Sequence, residues 1–147
     1  MYRSAMEYRG RPLIHPESIA EWRDWLSQHH ADTDGVWLAR WKKASGKVPL
    51  DYAQIVEEAL CFGWIDGVIN TLDDGRQAQL LTPRRPRSGW SRSNKERVER
   101  LVADGRMTEA GMRVIDAARA DGSWSLLDAS EALIEPAELK AALDANG

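Results

Sequence analysis

The sequence predicts an α+β fold: a small antiparallel sheet, including a hairpin over 64–72 and 76–82, packed with about five helices, the C-terminal part mainly helical. Three observations carry this. Two extended runs flank Asp73-Asp74-Gly75-Arg76, and an Asp-Gly pair between such runs is a strong hairpin signal. Apolar residues recur at helical spacing after capping residues such as Asp51 and Thr108. At 147 residues the chain fits one domain, long enough to bury a real core.

Composition narrows the setting. No apolar run approaches the roughly 20 residues that a spanning helix needs, and Met1-Tyr2-Arg3-Ser4 leads into no signal-like block. A cytoplasmic protein without membrane contact is therefore expected. The single cysteine, Cys61, excludes an internal disulfide and any cysteine-rich zinc site. Net charge is -3, so the surface as a whole does not advertise nucleic acid. Its distribution is uneven. Arg84, Arg85, Arg87, Arg92, Lys95, Arg97, Arg100 and Arg106 stand against only Glu96, Glu99 and Asp104, whereas the chain after Met107 is acidic. Such asymmetry suits an anion-facing patch, two segments that neutralise each other, or plain solvated helix faces.

In order along the chain, residues 1–14 show no strong period and read as a mobile arm, with Pro12-Leu13-Ile14 as a short edge strand. Pro16 suits a first helical turn, and the helix is expected from Pro16 to His30 with Ile19, Trp22, Leu26 and His29 on one face and Trp25 beside it. His29 and His30 point apart on that helix and cannot share a metal. Val36 to Trp41 reads as a strand, with Trp37, Ala39 and Trp41 on one face and Val36, Leu38 and Arg40 on the other. Asp51 caps the next helix with Gln54 placed for a capping box; Ile55, Val56, Ala59 and Leu60 face inward, and Gln54, Glu57, Glu58 and Cys61 face away. Cys61 has no neighbouring base to make a thiolate, so it reads as a small packing residue before a nucleophile.

With Asp74-Gly75 as a two-residue turn at positive φ, Asp66 falls opposite Pro83 and Trp64 opposite Arg85. Ile65, Gly67, Ile69, Ala78 and Leu80 then form the core face. Trp64, Asp66, Val68, Asn70, Gln77, Gln79 and Leu81 form a mixed face suited to a cleft. Pro83 and Pro86 stiffen the following basic loop. Ser91, or Ser93 with Glu96 in a capping box, starts a helix that buries Val98, Leu101 and Val102 and ends at Gly105. Thr108 starts another, with Gly111, Val114, Ile115 and Ala118 inward and Gly122 as its stop. Residues 126–147 read as a weakly attached acidic tail with a short helix from Pro136 to Ala145.

Several of these pieces together resemble the YdeI/OmpD-associated family, also called the bacteriocin-protection family. The carrying residues are Glu21-Trp22-Arg23-Asp24-Trp25-Leu26, Gly35-Val36-Trp37-Leu38, Tyr52, the run from Glu57 to Gly67, Thr82 to Ser88 with Trp90, Ser91 and Asn94, and Gly105-Arg106-Met107. They span about residues 15 to 125. The resemblance implies an α+β fold and an association with tolerance of bacteriocins or cationic antimicrobial peptides. It implies no established catalytic mechanism, and a protein partner only through the family's name.

The candidate site gathers Trp64, Asp66, Arg84, Arg85, Arg87, Trp90, Ser91 and Asn94. Arginine forks suit carboxylate or phosphate, the helix after Ser91 offers unpaired N–H groups, and the two tryptophans supply flat walls. The first reading is thus a binding module for a small anionic ligand or an acidic peptide. A purely structural alternative stacks Arg85 on Trp64 and pairs it with Asp66. A second reading is an enzyme using Asp66 as acid or base with arginines stabilising charge, although arginines would lower that carboxylate's pKa and weaken it as a base. A third is weak nucleic-acid binding through residues 84–106, against which the overall acidity argues. No glycine-rich cofactor loop or metal-ligand cluster is present in the sequence, so no cofactor is expected.

Overall fold

The computed structural model describes residues 6–129. Its elements are β1 (Met6–Tyr8), β2 (Arg11–Ile14), α1 (Ile19–His29), β3 (Val36–Trp41), α2 (Tyr52–Cys61), β4 (Trp64–Thr71), β5 (Arg76–Pro83), α3 (Arg92–Ala103) and α4 (Glu109–Asp121), with short 3₁₀ turns at Lys43–Ser45 and Ser123–Ser125. The class is α+β. The sheet, however, is mixed and five-stranded, in the order β1-β2-β3-β5-β4, and not a small antiparallel one. β2 runs parallel to β3, because α1 carries the chain back between them. The described residues hold four α-helices, which corrects the expectation of about five and of a mainly helical C-terminal part; the helix expected from Pro136 lies outside them. The segment read as an arm carries, from Met6 onward, the two strands of an edge hairpin.

Each helix starts where a side-chain oxygen takes an otherwise unpaired backbone N–H. Ser18 accepts from Glu21, Asp51 from Gln54, Ser91 from Asn94 and Thr108 from Gly111. The first helix therefore begins after Ser18 and not at Pro16, and Ser91 rather than Ser93 caps α3. Trp22, Trp25 and Leu26 are buried on α1, and Ile55, Val56, Ala59 and Leu60 on α2, as the spacing requires. On α3 only Val98 and Leu101 are buried, and Val102 is exposed.

The helical layer covers one face of the sheet, with α2 at its centre against α1, α3, α4 and β4. Ile14, Val36, Leu38, Trp64 and Leu81 meet the helices in one core. Leu13, Trp37, Ala39 and Ala78 form a smaller cluster on the other face, with Tyr8, Leu72 and Leu80 packed against it. The sheet is curled around that second cluster: Tyr8 lies edge-on to Trp37 at 4.9 Å, and Asn70 Nδ2, on the strand at the opposite edge, donates to Tyr8 Oη at 3.5 Å.

The β4–β5 hairpin departs from the two-residue turn. Leu72 N–H donates to the Arg76 carbonyl and Asp73 Oδ1 accepts from Gly75 N–H, so three residues make the reversal and Gly75 does not need positive φ. Ile69 pairs with Gln79, and a bulge at Gly67-Val68 then sets Asp66 against Leu81 and Trp64 against Pro83. A shift of one residue exchanges faces. The helix-covered face is accordingly that of Trp64, Asp66, Gln79 and Leu81, and the set expected as core is split: Ala78 and Leu80 lie on the second face, whereas Ile69 lies opposite Gln79.

The far side of α2 is also buried. Glu58 is 3% exposed and Cys61 fully buried, contrary to their expected outward position. The cause is α4, whose Gly111 sits against the Cys61 carbonyl, together with Arg23 and Arg106, which both pair with Glu58. Burial pushes the Cys61 thiol up, away from a reactive thiolate.

Candidate functional site

The hairpin base and the basic loop do come together, joined by backbone. Pro83 ends β5 opposite Trp64, and Arg84 N–H donates to the Gly63 carbonyl at 2.9 Å. Gly63 has φ 78°, the left-handed conformation that lets α2 stop and β4 start within two residues. Beyond Arg84 the chain leaves the sheet in a tight turn in which Ser88 N–H and Oγ both donate to the Arg85 carbonyl.

Arg84 takes the inner position. Its guanidinium lies over the Trp90 ring, 3.7 Å from the centroid, and Nη2 donates to the Gly89 carbonyl. Its Nε is buried without a hydrogen-bond partner, and burial lowers the guanidinium from 12.5 to about 10, opposed only by the charge of Asp66. Arg85 is exposed, and among the described residues its guanidinium makes no hydrogen bond or ion pair. The structural alternative for Arg85 is therefore corrected. Trp64 is 1% exposed, edge-on to Trp25 at 5.9 Å, and Asp66 Oδ2 accepts from the Tyr52 hydroxyl. Arginine does stack on a tryptophan here, but the pair is Arg84 and Trp90.

Between this loop, the start of β4 and the N-terminus of α3 lies a cleft of about 370 Å³. Arg84, Arg85, Ser91 and Asn94 line it, with Ile65, Pro83 and Leu127 as apolar wall. Asn94 Oδ1 accepts from Arg97 Nη1 at 3.0 Å, which leaves its amide N–H groups as donors. Among the described residues no acidic side chain lines the cleft. The other four candidates stand elsewhere. Trp64 and Asp66 lie behind the cleft on the helix-covered face. Trp90 and Arg87 line a smaller pocket of about 100 Å³ on the far side of the loop, against α4. Arg87 has φ 67°, and its charge adds to the Ser123 hydrogen bonds that lower the Asp121 carboxyl.

The other basic residues of this region are largely engaged. Arg100 pairs with Glu57, Arg106 with Glu57 and Glu58, and Lys95 with Asp128. A second cleft, of about 360 Å³, opens between α1 and the start of α4, lined by Arg23, His30, Phe62, Glu109 and Arg113. Among the described residues no group of three or more His, Cys, Asp or Glu is placed to hold a metal, and no helix is long and apolar enough to cross a membrane.

Sequence reasoning left out Tyr52 and Leu127 as site residues. Tyr52 was legible, since it stands three, four and seven residues before Ile55, Val56 and Ala59 on the buried face of α2. Leu127 follows the second 3₁₀ turn, where no period marks it.

No curated protein and no solved structure matches the chain. A family model does, over residues 14–114, from the end of β2 to the middle of α4. This stretch contains the hairpin, the basic loop and all of α3, and the chain accordingly belongs to the family described as a domain of unknown function, DUF8412.

Proposed function

We propose that the protein binds a small anionic ligand or an acidic peptide segment in the cleft beside the 84–88 loop. The observation that carries this is the state of Arg85: among the described residues, an exposed guanidinium without a partner, beside a fixed, half-buried Arg84, in a cleft that none of their carboxylates lines. The 12-residue helix α3 adds its positive N-terminal end. The resemblance to the bacteriocin-protection family supplies the physiological setting of this reading, tolerance of antimicrobial peptides by a cytoplasmic protein.

The other two readings have less support. Asp66 is turned toward Tyr52 and away from the cleft, which does not favour acid–base chemistry there. The ion pairs of Lys95, Arg100 and Arg106 take up much of the charge that nucleic acid would need.

Arg85→Ala tests the proposal. A panel of carboxylates, phosphate and an Asp/Glu peptide is titrated against both proteins by calorimetry, with melting followed in parallel. Loss of anion binding with an unchanged Tm supports the ligand role. A large fall in Tm without any lost binding assigns Arg85 to structure.

A further inference from the structure

Asn94 stands in the first turn of α3, where the cap fixes its backbone: its N–H donates to Ser91 Oγ at 3.2 Å. Its side chain lines the cleft. A primary amide has two unlike edges to offer a ligand, an acceptor oxygen or a pair of N–H donors. Arg97, one turn further along α3, decides between them. Arg97 Nη1 donates to Asn94 Oδ1 at 3.0 Å, and a guanidinium has no acceptor, so the flipped amide would set donor against donor. The Asn94 Nδ2 group is left without a hydrogen-bond partner among the described residues. Arg97 itself does not line the cleft. It is half-buried, pairs with no carboxylate among the described residues, and lies close enough to the Tyr52 hydroxyl for its charge to act on it.

We propose that Arg97 is the positioning residue of the anion site: by holding the Asn94 oxygen it turns the amide N–H groups to the ligand, and so makes the cleft favour a carboxylate over the corresponding primary amide. This rests on the anion-binding reading above and adds to it a residue that does not touch the ligand. Arg85 and an Asn94 locked in this way offer donors only. A carboxylate is acceptor-only and meets both, whereas an amide brings its own N–H groups against one of them. Freed from Arg97, Asn94 rotates to serve either ligand, and the preference falls back on Arg85.

The test is a ¹H–¹⁵N NMR titration of the full chain, backbone and side-chain signals together, with inorganic phosphate, an Asp/Glu peptide and the same peptide carrying Asn/Gln. The Asp/Glu peptide is expected to shift the Asn94 Nδ2 signals along with the amides of Arg85 and Ser88, and to bind about tenfold tighter than its Asn/Gln counterpart. Arg97→Met and Asn94→Ala should each lower that preference about fivefold, and the double variant should be no worse than Asn94→Ala alone, because Arg97 acts through Asn94. Four results overturn the assignment and leave the anion-binding reading standing: an anion that shifts the Arg85 amide but not Asn94 Nδ2, phosphate bound and neither peptide, single variants without effect, or a double variant weakened by the product of the two single losses. If neither phosphate nor the Asp/Glu peptide shifts any of these signals, both fall.

Discussion

The Tyr52 hydroxyl donates to Asp66, tying the first turn of α2 to the start of β4 just behind the cleft. Burial pushes the phenol from 10.0 up to about 12, and the bond to Asp66 acts in the same direction. The folded chain thus keeps a proton that the unfolded chain releases. This contribution is complete below pH 10 and is lost as the pH climbs toward 12. Tyr52→Phe is expected to cost about 1–2 kcal/mol at neutral pH, from the lost bond to a carboxylate. Its stability should also fall less steeply than that of the unaltered protein above pH 10, which urea midpoints across that range would read.

Arg84 has the opposite sign. Its guanidinium is lowered from 12.5 to about 10, so a penalty is present below pH 10 and is relieved as the pH rises toward 12.5. Arg84→Met gives up the Trp90 stack and the Gly89 bond but also removes that penalty. A net loss under about 1.5 kcal/mol is expected at neutral pH, widening above pH 10. Tryptophan emission should shift, because Trp90 loses the cation on its face. Arg85→Ala is expected within about 0.5 kcal/mol of the unaltered protein, as for an exposed side chain without partners.

Glu58 is a buried carboxylate with Arg23 at 2.6 Å on one side and Arg106 on the other. Glu58→Gln removes the counter-charge of Arg23 and one of the two that face Arg106, which keeps Glu57 at 3.4 Å. Because each arginine still reaches water, the expected cost is at the lower end for breaking a buried pair, about 3 kcal/mol. A urea denaturation midpoint measures it.

Gly111 lets α4 lie against the C-terminal end of α2. A Cβ there would overlap the Cys61 carbonyl oxygen, an atom of main chain that cannot swing aside. Gly111→Ala should therefore destabilise by about 2–3 kcal/mol despite its better helix propensity. An unchanged or raised Tm would show that α4 can shift to make room.

What the sequence made legible, and what it hid, follows from the range of the forces involved. Val36 to Trp41, the caps at Asp51 and Thr108, and the stop at Gly122 were readable because local periodicity and capping decide them. The faces of the hairpin were not. Asp-Gly is compatible with more than one turn, and no local period marks the bulge at Gly67-Val68. Within the site, the basic loop and the cap at Ser91 were visible, whereas the choice between Arg84 and Arg85 depended on the register that the turn and the bulge together displaced. Glu58 and Cys61 failed for a related reason: an outward helical face stays outward only until a later helix covers it, and here α4 does.

Curling the sheet until Tyr8 reaches Asn70 also governs how the molecule meets its own kind. The margins of an open sheet are templates on which foreign strands can grow, whereas these two lean toward one another and shield Trp37 between them. That protection hangs on β1, only three residues long. A chain trimmed by its first eight residues would present an unguarded tryptophan and two bare ladders, and would be driven toward ribbon-like self-association.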